Sequence, residues 1–412
     1  MNTWRNVSMK LKKIAALSLA ASLAIFPSFG GSALAKESNP LENAPKSSAV
    51  NKSFEKGSYV KGEVVVKFKD SVSDAEKGNA LKKLGATEIP DTDSVKSEFK
   101  VLKVGNVEAV VKALSKNPNV EYAEPNYNFS ATWTPNDTYY QGYQYGLKNT
   151  YTNYAWDYSR GSSGQEIAVL DTGVDYNHPD LDGKTILGYD FVDNDYYPMD
   201  LNGHGTHVAG TAAAETNNGR GIAGMAPDTK ILAVRVLDAN GSGSLADIAD
   251  GIQYAADTGA EVINLSLGCD CNTTTLKNAV DYAWNKGSVV VAAAGNDGVS
   301  TTFEPASYAN AIAVGAVDSY DQKASFSNYG FWVDVTAPGV SIAATVPNNG
   351  YAYMSGTSMA APHVAGLAGL LASQGRTNSQ IRAAIEQTAD PISGTGTYFE
   401  HGRINSHDAV RY

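Results

Sequence analysis

Five short, almost wholly apolar runs, at residues 167–170, 231–236, 262–267, 289–293 and 312–317, constrain this chain more than any other feature. A strand with one wet face alternates apolar and polar residues. A run without alternation is buried on both faces, and such strands belong to parallel sheets covered by helices. Stretches with helical character lie between them at 204–214, 244–258, 273–286 and 357–373; the last opens with a Thr-Ser pair and closes near Gly375. This repeated alternation predicts an α/β fold, a doubly wound, mostly parallel sheet flanked by helices, with its site at the carboxyl ends of the strands.

A different pattern precedes this body. Residues 1–13 are basic, 14–26 are apolar, Pro27 interrupts the run, and Ala33-Leu34-Ala35 supplies small residues where a signal peptidase reads. The apolar core is short for a bilayer span, which favours a signal peptide over residues 1–35, cut before Lys36, above a membrane anchor. Residues 36–57, rich in Ser, Asn, Pro and Lys, form a linker. Within 58–132 a strand is expected at 63–68, a helix at 73–84, a strand at 99–104, a helix at 107–116 and a strand at 120–123. That is a small α+β, ferredoxin-like unit of split βαβ type. The α/β body occupies 133–412.

The body carries 13 Lys and Arg against 29 Asp and Glu, a net charge of −16. Such a surface repels nucleic acid and anionic lipid, so neither is expected as a partner; with the signal peptide removed and no later apolar span, a soluble, secreted, extracellular protein is expected, taken as a monomer. Only Cys269 and Cys271 are present, so no disulfide framework holds the fold. A thiol pair in an exported protein usually oxidises, and a bond at this spacing would stiffen one loop; two free thiols or an adventitious metal site are the alternatives.

Three short segments carry chemistry. Leu170-Asp171-Thr172-Gly173 closes the first apolar run, Asn202-Gly203-His204-Gly205-Thr206-His207 opens a helix, and Ser355-Gly356-Thr357-Ser358-Met359-Ala360 opens the last core helix. They supply an acid, a base and a nucleophile. A serine hydroxyl needs an imidazole to take its proton, and the imidazole needs a carboxylate to fix its tautomer. A Ser at a helix N-terminus has free N–H groups beside it for a developing oxyanion. Taken singly the motifs are ambiguous. Asp-Thr-Gly also serves aspartic proteases, but no second such motif is present. His204 and His207 lack the i, i+4 spacing and intervening Glu of a zinc helix, and His207 is expected to be structural. An esterase would want Gly-x-Ser-x-Gly with its His last in the chain. Retention of the fold without catalysis is disfavoured because every catalytic position is intact.

In this order the segments resemble the subtilisin-like serine proteases. The likeness runs over 133–412, and Trp133-Thr-Pro-Asn-Asp137 is most similar to the thermitase branch of thermophilic bacilli. Residues 59–129 resemble the inhibitory pro-domain of the same family. Ala361 departs from the Thr or Ser usual before Pro362. The resemblance implies a calcium-stabilised serine endopeptidase of broad specificity acting on extended polypeptides through an acyl-enzyme. It also implies a pro-peptide, residues 36–132, that aids folding, inhibits the enzyme and is cut near Thr132–Trp133, with Phe129 in the fourth substrate pocket.

By the same resemblance Asn296 joins the Ser358 N–H in the oxyanion hole. Gly241, Ser242 and Gly243 form one substrate edge and Ser266, Leu267 and Gly268 the other, with Leu245 and Ile248 lining a pocket four residues before the cut. Ser266–Gly268 and Ala293, Ala294 and Gly295 bound the pocket next to the scissile bond. Three cation sites are expected. The acids Asp190, Asp193 and Asp195, near Asp200 and with Tyr197 and Met199, suit Ca2+ because they would otherwise repel. The resemblance adds a Ca2+ site from Asp137, Asp180 and Asn218 with carbonyls of Glu215, Arg220 and Ile222. It adds a weaker third, for Ca2+ or Na+, from Ala306, Tyr308, Ala311 and Asp334.

Overall fold

The computed structural model describes residues 59–90, 97–127 and 133–412. The expected signal peptide, the linker and Phe129 lie outside the described residues. Among the described residues no helix is long and apolar enough to cross a membrane.

The N-terminal unit runs β1 (Tyr59–Phe68), α1 (Asp74–Lys83), β2 (Thr87–Ile89), β3 (Lys100–Lys103), α2 (Val107–Leu114) and β4 (Val120–Tyr127). Its antiparallel sheet has the order β2-β3-β1-β4, the expected ferredoxin-like arrangement. Val64, Val66 and Phe68 alternate inward from β1 and pack with Leu81, Val110 and Leu114 of the two helices. A capping box of Ser73 and Glu76 starts α1, and the Asn106 side chain accepts from Ala109 N–H to start α2. The three-residue edge strand β2 has no apolar run and was not expected.

The body begins with three short helices, α3 (Tyr140–Tyr143), α4 (Tyr145–Asn149) and α5 (Thr152–Ala155). Then follow β5 (Glu166–Asp171), β6 (Thr185–Asp190), α6 (His204–Ala213), β7 (Lys230–Arg235), α7 (Leu245–Thr258), β8 (Val262–Leu265), α8 (Thr274–Lys286), β9 (Val289–Ala293), β10 (Ala311–Val317) and β11 (Val335–Pro338). A hairpin of β12 (Ile342–Val346) and β13 (Gly350–Met354) precedes α9 (Thr357–Ala372), α10 (Asn378–Gln387) and α11 (Ser406–Ala409). The seven strands β11-β10-β9-β8-β5-β7-β6 pair in parallel.

The unbroken apolar runs have the cause inferred for them. Ile167 and Val169 of β5 enter one core with α6 and α9, while Ala168 and Leu170 enter the other with α7 and α8. Strands β7, β9 and β10 divide their residues in the same alternating way. Four strands of the body escaped the sequence reading. Edge strand β6 leaves Ile186 and Leu187 over a third exposed, β11 is four residues ending in Pro338, and β12 and β13 form a separate two-stranded hairpin. Helix α9 crosses the middle of one face with its apolar residues buried all round. It reaches so close to its neighbours that a Cβ on Gly366 would stand 2.3 Å from Met225 Cβ and 2.8 Å from the Ala212 carbonyl.

Candidate active site

Strand β5 ends on Asp171 and lies between β7 and β8, where the strand order reverses. In such sheets the crevice beyond the carboxyl ends at that reversal is the binding place. The β5–β8 register pairs Val169 with Asn264; continued two residues, it sets Asp171 beside Ser266. Strand alternation turns Asp171, Asn264 and Ser266 to the face covered by α6 and α9, which bring in His204 and Ser358.

Asp171 is fully buried, and its Oδ1 accepts from Thr172 N–H and from His204 Nδ1, each at 2.7 Å. With Nδ1 bound to the carboxylate, His204 Nε2 is left as the basic atom. Burial opposes a positive imidazole, but the charge and hydrogen bond of Asp171, with the charge of Asp200 behind them, prevail and hold His204 above its ordinary pKa.

Asp200, expected near a cation cluster, does a different job. Its Oδ1 accepts from Thr172 Oγ1, Asn202 N–H and Gly203 N–H at 2.8 Å each; its Oδ2 accepts from Thr206 N–H at 2.9 Å and Thr206 Oγ1 at 2.6 Å. This buried carboxylate caps α6 and ties the segment after Asp171 to the turn that carries His204. Gly205 permits the approach, since a Cβ there would lie 2.1 Å from the Gly173 carbonyl.

Ser358 is the second residue of α9. Its hydroxyl donates to the Ser266 carbonyl at 3.0 Å rather than to His204. Asn296 follows β9, and its Oδ1 accepts from Thr357 N–H at 2.8 Å and from Thr357 Oγ1 at 3.0 Å. Thr357 Oγ1 in turn accepts from Gly295 N–H. Because its oxygen is engaged, the Asn296 amide presents its NH2 group as the free donor beside α9.

The proposed substrate edges differ in exposure. Gly241, Ser242, Gly243 and Leu245 are exposed, while Ile248 is partly buried against the second core. Asp238 stabilises the turn before this edge by accepting from Ser242 N–H at 3.0 Å. On the other side Ser266, Leu267 and Gly268 follow β8, and on neighbouring β9 Ala293 ends the strand and Ala294 and Gly295 follow it. Phe303, which the sequence reading missed, packs on both walls: a Cβ on Gly268 would meet its ring at 2.4 Å and one on Gly295 at 3.1 Å. Cys269 pairs with Glu304 through two backbone hydrogen bonds of 2.9 Å, and the Cα atoms of Cys269 and Cys271 are 5.2 Å apart.

The three cation groups fare unequally. Among the described residues no three His, Cys, Asp or Glu side chains are grouped as metal ligands. Asp190 and Asp193 both pair with Arg235, at 2.9 and 2.5 Å, which offsets part of the expected repulsion. Asp195 Oδ1 accepts from Tyr197 N–H, and the Met199 carbonyl faces Gly173. Asp334 pairs with Arg382 at 3.1 Å, and the Tyr308 carbonyl accepts from Ala311 N–H; Ala306 is buried nearby in sequence. Asp137 and Asp180 differ. Both are buried, and neither has an ion-pair partner among the described residues. Asn218 Nδ2 donates to Asp180 at 2.9 Å, Ile222 N–H also reaches Asp180, and Asn217 N–H reaches Asp137. Glu215 N–H donates to the Asp180 carbonyl and Arg220 N–H to Asn218 Oδ1, so the residues of the expected set are linked through their N–H groups. Burial raises the Asp137 pKa and the Asp180 charge adds to it.

His207 is structural as expected: fully buried, hydrogen-bonded through Nε2 to the Ile342 carbonyl at 2.9 Å, and pushed down to a pKa of about 3 by burial. Thr172, Thr206, Asn264 and Thr357 also support the site and were missed. The three threonines each sit within two residues of a candidate catalytic residue, a signal that was available.

Residues 162–405 match the model of the Subtilase family, and residues 45–126 that of the Fervidolysin N-terminal prodomain. The chain is 73% identical over 405 residues to the Thermophilic serine proteinase of Bacillus sp. (strain AK1), covering 98% of this chain and 100% of that protein. It is 61% identical over 280 residues to Thermitase of Thermoactinomyces vulgaris, covering 68% of this chain and all of that protein. A solved protease from Pseudoalteromonas arctica PAMC 21717 superposes with a TM-score of 0.61 at 34% identity, over 68% of this chain and 99% of its own. A cold adapted subtilisin-like serine proteinase gives a TM-score of 0.55 at 37% identity, over 60% and 90% respectively.

Proposed function

The chain belongs to the subtilase family and is a subtilisin-type serine protease with an N-terminal prodomain, and from that premise we propose that it is a secreted, self-processed endopeptidase of broad specificity that works through Asp171, His204 and Ser358. The observation that carries the assignment is the 2.7 Å bond from His204 Nδ1 to buried Asp171, which leaves Nε2 as a base on the face where α9 delivers Ser358. Ser358 Oγ attacks the scissile carbonyl as His204 takes its proton. The Ser358 N–H and the Asn296 NH2 stabilise the oxyanion. His204 then protonates the leaving amine, and water repeats the sequence on the acyl-enzyme.

Gly241–Gly243 and Ser266–Gly268 would hold substrate as an added strand, and main-chain pairing carries little sequence information. The pocket that Ser266–Gly268 and Ala293–Gly295 would bound is read as preferring larger apolar side chains before the cut. The prodomain would act as folding aid and intramolecular inhibitor until cleavage near Trp133. We also take Cys269 and Cys271 to be bonded, since their 5.2 Å Cα separation lies in the usual range of about 4.4–6.8 Å.

Of the three cation groups, Asp137, Asp180 and Asn218 fit calcium best. Two buried carboxylates without an ion-pair partner among the described residues lie there beside Asn218, and a cation would be held by oxygens of this kind. The ion would supply the missing positive charge and stability. Excess chelator should lower the melting temperature sharply, since ligand at a hundredfold excess over its dissociation constant adds roughly 2.7 kcal/mol; an unchanged curve would count against it. Arg235 and Arg382 already provide positive charge at the other two groups.

The functional test is Ser358→Ala. The variant should accumulate as unprocessed precursor without casein hydrolysis, while the native enzyme should start near Trp133 by mass spectrometry of the secreted product. Normal self-maturation of the variant would overturn the assignment.

A further inference from the structure

Helix α9 places Pro362 four residues after Ser358. In an α-helix the carbonyl of residue i accepts from the N–H of residue i+4, and proline has no N–H to give. The Ser358 carbonyl is therefore denied its helical donor at the residue where position matters most. Ser266 fills the place: its Oγ donates to the Ser358 carbonyl at 2.8 Å. The same hydroxyl accepts from Asn264 Nδ2 at 2.9 Å, which orients it. The contact is reciprocal, because the Ser266 carbonyl accepts from Ser358 Oγ at 3.0 Å. Ser266 is 3% exposed and Asn264 is fully buried within β8, so neither bond competes with bulk water.

We infer that Ser266, oriented by Asn264, is a positioning residue that holds the Ser358 backbone in place of the helical bond Pro362 removes. This goes beyond its place on a substrate edge and rests on the reading of Ser358 as nucleophile. The clasp anchors the first turn of α9 to the end of β8. It thereby sets both the Ser358 Oγ and the Ser358 N–H, one the attacking atom and the other an oxyanion donor. Losing the hydroxyl leaves a buried carbonyl unsatisfied and frees that turn to shift, and a misplacement of about 1 Å is enough to cost roughly 100-fold in rate.

The test is a cycle of S266A and P362A in the mature enzyme. It uses two readouts: kcat and KM on a peptide, and the rate at which a small fluorophosphonate phosphonylates Ser358 with loss of fluoride. S266A should lower kcat and the phosphonylation rate by about tenfold or more, with KM changed less than about twofold. In the P362A background the backbone N–H restored by the substitution supplies the missing donor, so adding S266A should cost less than about threefold. An equal loss in both backgrounds, or a loss in KM with an unchanged phosphonylation rate, would make Ser266 only a pocket wall and overturn the inference. If S266A does not accumulate as folded enzyme, recovery of labelled protein in the double variant supports the clasp, and no recovery refutes it. A probe found on a residue other than Ser358 in the native enzyme would instead overturn the nucleophile assignment.

Discussion

Single residues at this site are defined by what occupies their other atoms. Asp171 takes Nδ1 of His204 and so leaves Nε2 for the proposed role as base; Thr357 takes the oxygen of Asn296 and so leaves its NH2 for the proposed oxyanion contact. Asn296→Ala should lower kcat roughly 100- to 1000-fold with little change in KM, a magnitude that comes from a subtilisin itself and is not calculated for this chain. A steady-state comparison of the two enzymes checks it. The raised pKa of His204 has a direct consequence, because the base works only when neutral. The acid limb of kcat/KM should be centred above the ordinary imidazole value of 6.5, activity falling as pH drops through it. A limb centred below 6.5 would contradict the balance of Asp171 and Asp200 against burial. Asp171, His204 and Ser358 could be proposed from the sequence because each motif names a reactive side chain, and the fold brings Asp171 and His204 into hydrogen-bond contact. Asp200, noted in the sequence only as lying near the acidic cluster, was not read as a support of the site, because its five donors come together only in the fold.

Elements were legible where burial was complete. The five apolar runs became β5, β7, β8, β9 and β10 because both faces of each are covered, which erases alternation in the sequence. Strand β6 was not legible, since an edge strand gains only one neighbour and keeps exposed residues. Helix α9 shows what an all-apolar helix requires: neighbours on every side and small residues where they come closest. Gly366→Ala should destabilise the protein by about 1–3 kcal/mol, since neither Met225 nor the Ala212 backbone has room to yield. The melting temperature should fall while kcat/KM below the transition stays near native. An unchanged melting temperature would mean that the α6–α9 contact relaxes freely.

Across the whole molecule, buried titratable groups set the pH range of stability. Burial drives His207 to about 3 and His363 to about 4, both from an ordinary 6.5. Unfolding releases both imidazoles to take up protons, so their contribution is complete above pH 6.5 and is lost as pH falls towards the folded values, at about 1.4 kcal/mol per pH unit for each. His204 has the opposite sign, its contribution being lost as pH rises through its raised pKa. The melting temperature of inhibitor-blocked enzyme should therefore decline between pH 6.5 and 4, and a flat profile would argue against neutral burial of these histidines. The sequence by itself determined the fold class and the ferredoxin-like unit, and it named the side chains proposed as acid, base and nucleophile. Each depends on residue type and local period, which any folded form of the chain must satisfy. Tertiary structure alone decided which carboxylates are caps, ion pairs or cation candidates, and that Ser266 supports Ser358. Those outcomes depend on partners far away along the chain, and a hydrogen bond is set by distance in space, which spacing along the sequence does not encode.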